Sequence, residues 1–120
     1  MPEQSGTDGP VPGKQSVLLV STAVVPTDAA VRYAKQLLAH LGRKAGVEAL
    51  DGEPDGGRLT LSAGTGIVRP RADHLVMEAI AVDVEALAVV EDVLGRHLER
   101  FGARRELTVS WQRPAATTED

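Results

Sequence analysis

The chain has 120 residues, 42% of them hydrophobic but only 2% aromatic, with no cysteine and a formal net charge of -4. This length supports one core, not two, and the lack of cysteine excludes a disulfide framework, a thiolate metal site and cysteine nucleophiles. Tyr33, Phe101 and Trp111 are too few aromatics for a module that stacks bases, so no nucleic-acid partner is expected. The longest apolar runs are too short to span a bilayer, and Met1 to Gln15 lacks the charged start and apolar centre of a signal peptide. The expectation is a cytoplasmic protein without a membrane partner.

Residues 1–15 hold prolines and glycines without apolar periodicity and read as a flexible tail, as do residues 114–120. Between them, residues 16–113 read as a single α+β domain. The β-branched run SVLLVSTAVV, from Ser16, predicts a first strand that stops at Pro26. Thr27 or Asp28 can cap a helix running to Lys44, with Ala30, Ala34, Leu37, Leu38 and Leu41 on its core face and Gly46 as its closing residue. A short strand VEAL, the turn-rich DGEPDGG and the alternating RLTLSA follow, the last predicting a half-buried antiparallel strand.

Gly64 and Gly66 bracket a tight turn, IVR reads as a short edge piece ending at Pro70, and HLVMEAIAV as the longest strand. Asp83 caps a second helix whose core face is Leu87, Val90, Leu94, Leu98 and Phe101, with Gly102 beyond its end. LTVSW is the expected final strand. The order predicts a two-layer sandwich, a mainly antiparallel sheet with two helices on one face. A ferredoxin-like (split β-α-β) or a TATA-binding-protein-like plan accommodates it.

The spacing RYxxxLxxHxxxK, formed by Arg32, Tyr33, Leu37, His40 and Lys44, together with VEDVLGRHLERFGARRELTVSWQR, resembles the bacterial family called domain of unknown function 2218. The likeness runs from Ser21 to Arg113. It implies a small bacterial domain without an assigned activity, and an association with iron utilisation through a siderophore-interacting reductase as partner. Gly42, Arg43 and Gly95 depart from the commonest pattern of the family.

Imidazole titrates near neutral pH and ligates metals, so the histidines come first among candidate groups. His40 flanks the apolar stripe of the first helix, on the side of Tyr33 and Lys44. His97 borders that of the second. If both helices cover one sheet face, Tyr33, His40, Lys44 and His97 form a ligand-binding site, with His40 and His97 as ligands to iron, haem or a ferric chelate and Tyr33 as an oxygen donor. The plainer alternative is a boundary histidine that bonds a carbonyl.

His74 and Glu78 share one side of the longest strand with Val76 and Ile80, a face suited to a homodimer or to a half-exposed sheet. Arg96, Arg100, Arg104 and Arg105 are interleaved with acids and read as a salt-bridged surface rather than a nucleic-acid stripe. SAGTGIV precedes a strand, not a helix, and reads as a hairpin turn rather than a phosphate loop. No serine stands in a nucleophile elbow, and Asp51, Glu53 and Asp55 share one loop as solubilising residues. The expected function is therefore a non-catalytic binding or accessory module for a small molecule. An enzyme-like site moving protons through Tyr33, His40 and His97 is the alternative.

Overall fold

In the computed structural model, which describes residues 18–113, the β-branched and alternating segments pair into one antiparallel sheet. Its strands are β1 (Leu19–Pro26), β2 (Gly46–Leu50), β3 (Glu53–Thr60), β4 (Thr65–Pro70) and β5 (His74–Ala81), in the spatial order β1-β5-β4-β3-β2. Helices α1 (Ala30–Leu41) and α2 (Val84–Phe101) cover one face of it. This is the expected two-layer α+β sandwich. Its order of strand, helix, four strands and helix fits the second of the two plans, because a split β-α-β plan ends on a strand within the sheet. The two tails lie outside the described residues.

The core follows from the register. Across the helix-facing side run two rows, Ser21–Ala79–Gly66–Leu59 and Ala23–Met77–Val68–Gly57. The glycines in these rows act as sockets for leucines. A Cβ at Gly66 would meet Leu94 Cδ1 of α2 at 3.0 Å, and one at Gly57 would meet both Leu38 methyls of α1 at 3.0 Å. Small residues in the sheet thus let both helices sit close, and close packing is what an interior poor in aromatics requires.

Four local expectations change. IVR lies in β4, third of five strands, and Ile67 and Val68 are buried, so it is an interior strand and not an edge. DGEPDGG contributes only Asp51 and Gly52 to a turn, Gly52 supplying a φ of 76°, and the rest belongs to β3. Glu53 is then no loop acid. It accepts two hydrogen bonds from Arg71, at 2.8 and 3.1 Å, which hold its carboxyl below the usual carboxylate range.

Third, α1 starts at Ala30 and stops at Leu41, earlier than Lys44. Thr27 Oγ1 accepts from the Ala29 amide at 3.0 Å, while Asp28 pairs with Arg105 at 3.0 Å. Gly42, not Gly46, ends the helix: its amide reaches Leu38 O at 2.8 Å, and a Cβ there would meet Val47 Cγ2 at 2.8 Å as β2 turns back. The α2 expectation holds, with Asp83 Oδ1 accepting from the Ala86 amide at 2.8 Å.

Fourth, LTVSW does not join the sheet as a strand. A single antiparallel bridge, Thr22 to Gln112, touches the outer edge of β1, and the segment instead packs along α2. Trp111 Nε1 lies 3.2 Å from where a Gly95 Cβ would stand, Glu99 accepts from the Val109 amide at 2.9 Å, and Arg113 clamps Glu91 through bonds of 2.8 and 3.0 Å. Burial pushes the Glu91 carboxyl up, but the hydrogen bonds from Arg113 and Ser21 outweigh it and hold the group below its ordinary value. The clamp also covers an otherwise unpaired strand edge.

Candidate functional site

The last turn of α1 and the Val89–His97 stretch of α2 border the β3–β4 hairpin. That hairpin is closed by reciprocal bonds between Leu61 and Gly64, of 2.8 and 3.3 Å. Between the three elements lies a cleft of about 590 Å³. Leu61, Ala63, Val89 and Val93 supply its apolar wall, and His40, Arg43, Lys44 and His97 its polar side.

The two imidazoles meet there, with ring centroids 5.0 Å apart and planes inclined by 46°. His97 Nδ1 lies 2.6 Å from Val93 O, and since a carbonyl only accepts, Nδ1 carries a proton and donates it there. Phe101 stands edge-on to His40, centroids 5.6 Å apart. His40 is exposed on one side, yet its pKa is pushed below the ordinary 6.5, first by lost hydration and then by the repulsion of His97, Arg43, Arg100 and Lys44. The neutral imidazole is the favoured form.

This field decides what the cleft can hold. Not one carboxylate lines it. From Ala29 to Val47 the chain carries Arg32, Lys35, Arg43 and Lys44 and no acid, in a protein of net charge -4. The C-terminal end of α1 contributes a partial negative charge of roughly half an electron, but the carbonyls of Leu38, His40 and Leu41 are already taken by the amides of Gly42, Arg43 and Lys44. The same cations that expel a proton from His40 repel a bare metal cation. No group of three or more His, Cys, Asp or Glu side chains able to hold a metal occurs among the described residues. The residues therefore do not fit a resident metal ion, and they fit an anion with an apolar portion.

Of the four residues singled out from the sequence, His40, Lys44 and His97 line the cleft together and Tyr33 does not. Tyr33 is buried two turns earlier, where it lines a separate recess with Phe101. The spacing of seven residues does place Tyr33 and His40 on one flank of α1, but Phe101 stands between them. His74 bonds Asp73 at 2.7 Å and takes no part in the cleft. Arg43, Arg100 and the hairpin floor were not among the candidates. The acid-free stretch around α1 is the sequence signal that points to Arg43; Arg100 and the hairpin lie outside it.

A small two-layer domain whose paired helices enclose a cationic cleft is the class that fold and site define. The chain belongs to a bacterial family described as "Uncharacterized protein conserved in bacteria (DUF2218)", whose model matches residues 22–112. It is similar to PA4090 from Pseudomonas aeruginosa, solved by NMR: 30% identity over 78% of this chain and 95% of that one, with a TM-score of 0.65. No curated protein matches the chain. No helix among the described residues is long and apolar enough to cross a membrane.

Proposed function

We propose that the protein is a non-catalytic binding module whose ligand is a small amphipathic anion held in the His40–His97 cleft. The observation that carries this is the cleft's lining: apolar on one wall, cationic on the other, and free of carboxylates. Arg43 and Lys44 would hold the anionic group, and His40 and His97 Nε2, where protonated, would donate to its remaining oxygen atoms. An anionic ferric chelate, the kind of ligand implied by the iron association of the family resemblance, is one member of this class.

Titration of the purified chain with octyl phosphate tests it calorimetrically. Lys44→Ala and Arg43→Ala are each expected to weaken binding about tenfold, the size of one charge-assisted hydrogen bond. Octylamine, the same tail with a cationic head, is expected not to bind. A bound anion raises the His40 pKa, so binding takes up a proton and tightens as pH falls from 7.5 toward the lowered free value, by at most about tenfold per pH unit. The free protein responds oppositely: with its folded pKa depressed, His40 costs stability as pH falls through 6.5. Binding of octyl phosphate that ignores both substitutions and pH would sink the proposal.

A second reading, a homodimer through the open sheet face, rests on a separate observation. Val20 and Val24 are exposed on that face, while its charges are paired within the sheet, Arg69 to Glu78 at 2.9 Å and Arg58 to Glu48 at 3.4 Å. A neutral face carrying β-branched residues suits a second copy of itself. Sedimentation of the native chain should then give a dimer and that of Ile80→Asp a monomer. A native monomer at high concentration rules it out.

A further inference from the structure

Beside the cleft, where α1 and α2 meet, lies a second recess of about 380 Å³, lined by Arg32, Tyr33, Gln36, Arg100, Phe101 and Arg104 among others. Here too no carboxylate lines the wall. Among the described residues Arg32, Arg100 and Arg104 form no ion pair, whereas the other arginines of this region, Arg96 and Arg105, are bound to Asp92 and Asp28 at 2.7 and 3.0 Å. All three unpaired arginines line the recess; of the two paired ones, Arg105 also lines it, with its charge already engaged by Asp28, and Arg96 does not. The Arg32 guanidinium sits 5.4 Å from the centre of the Tyr33 ring, a cation–π contact that orients it without using up its N–H donors.

The two recesses are neighbours. Phe101 lines the second one and touches His40 of the first, and the charge of Arg100 is felt at His40 while its side chain lines the second recess. Along α1, Tyr33 and His40 are seven residues apart, about 10 Å at the rise of an α-helix.

We propose that the two recesses form a two-site track for one elongated ligand that carries an anionic group at each end, the first held by Arg43 and Lys44 and the second by Arg32, Arg100 and Arg104. The body of the ligand crosses the His40–Phe101 contact. This inference rests on the anion-binding reading of the cleft and adds the ligand's second charge and its length.

The test compares octyl phosphate with octanediol bisphosphate, and then shorter and longer alkanediol bisphosphates, on the full chain at physiological ionic strength so that long-range attraction is screened. The bisphosphate of matching length is expected to bind at least about tenfold tighter than the monophosphate, because the second group is delivered at high effective concentration. Arg104→Ala and Arg32→Ala should each remove most of that advantage and leave octyl phosphate binding nearly unchanged. Lys44→Ala should weaken both ligands. Lys35→Ala, which removes a cation of the same helix that lines neither recess, should change neither.

Two results overturn the track while leaving the anion-binding reading intact. One is a bisphosphate no tighter than the monophosphate at any length, including the case in which two equivalents of octyl phosphate bind. The other is a loss from Lys35→Ala as large as that from Arg104→Ala, which marks a general field rather than a site. If octyl phosphate does not bind the native chain at all, the reading of the cleft fails and the track falls with it.

Discussion

Leu94→Ala is expected to cost about 3 to 4 kcal/mol, a large part of the roughly 5–15 kcal/mol that holds a domain of this size together. Leu94 is fully buried at the centre of α2, and its methyl groups fill the socket over Gly66 in β4. Its removal leaves a cavity bounded by sheet backbone, which cannot collapse to fill it. Urea unfolding should show a lower midpoint with an unchanged slope. Gly66→Ala supplies the cross-check. In the native background the added methyl presses on Leu94, at 3.0 to 3.1 Å from its Cδ atoms, and destabilises. In the Leu94→Ala background it occupies vacated space, so the double substitution should be less harmful than the sum of the two. Strict additivity, or a loss from Leu94→Ala below about 1.5 kcal/mol, would show that this socket does not organise the contact between helix and sheet.

Gly64→Ala should cost about 2 to 3 kcal/mol and weaken octyl phosphate binding severalfold, because the hairpin it closes is the floor of the cleft. The reason is steric rather than conformational, since Gly52 is the one described glycine with a positive φ. A Cβ at Gly64 would run into the Ile80 carbonyl oxygen of β5, with Val90 Cγ2 at 3.1 Å and Ala81 Cβ at 3.2 Å behind it. A backbone oxygen held in a sheet cannot swing aside as a side chain can. The hairpin must lift instead, and Leu61, Ser62 and Ala63 move with it. Ser62→Ala, at an exposed position of the same turn, is the control for stability and should leave it unchanged. A Gly64→Ala protein with native stability and native affinity would show that the turn has slack.

Where local rules govern, the sequence was legible. The helix-spaced leucines of α1 and α2, the Asp83 cap, the alternation of β5 and the hairpin at Gly64 are consequences of periods and side-chain chemistry within a few residues. Misplacements occurred where a distant partner decides. IVR is too short to reveal that strands on both sides enclose it. DGEPDGG is rich in turn residues, yet β3 uses most of it, because pairing with β2 and β4 outweighs weak local preference. LTVSW has the alternation of a strand, but the Arg113–Glu91 clamp and the seat of Trp111 on Gly95 hold it against α2.

The candidate site divides the same way. Histidines at the ends of two amphipathic helices can be listed from a sequence, and so can Lys44 one turn after His40. That Phe101 separates Tyr33 from His40 cannot, since it depends on how the two helices are rotated against each other. The arginines of α2 alternate with acids along the chain and so look neutralised. In space Arg96 and Arg105 take the nearby carboxylates, and Arg100 and Arg104, which line the second recess together with Arg105, are left without one among the described residues.

The sequence by itself determined the two helices with their apolar faces, the alternating strands β1 and β5 and the concentration of positive charge around α1, because each depends on composition and on neighbours within one or two turns. Only the tertiary structure decided that two imidazoles meet 5.0 Å apart in a cleft without carboxylates. The physical reason lies in the glycine sockets. Gly57 and Gly66 let Leu38 and Leu94 seat the helices closely on the sheet, and that seating, between residues far apart in the chain, sets which side chains face each other across the crevice.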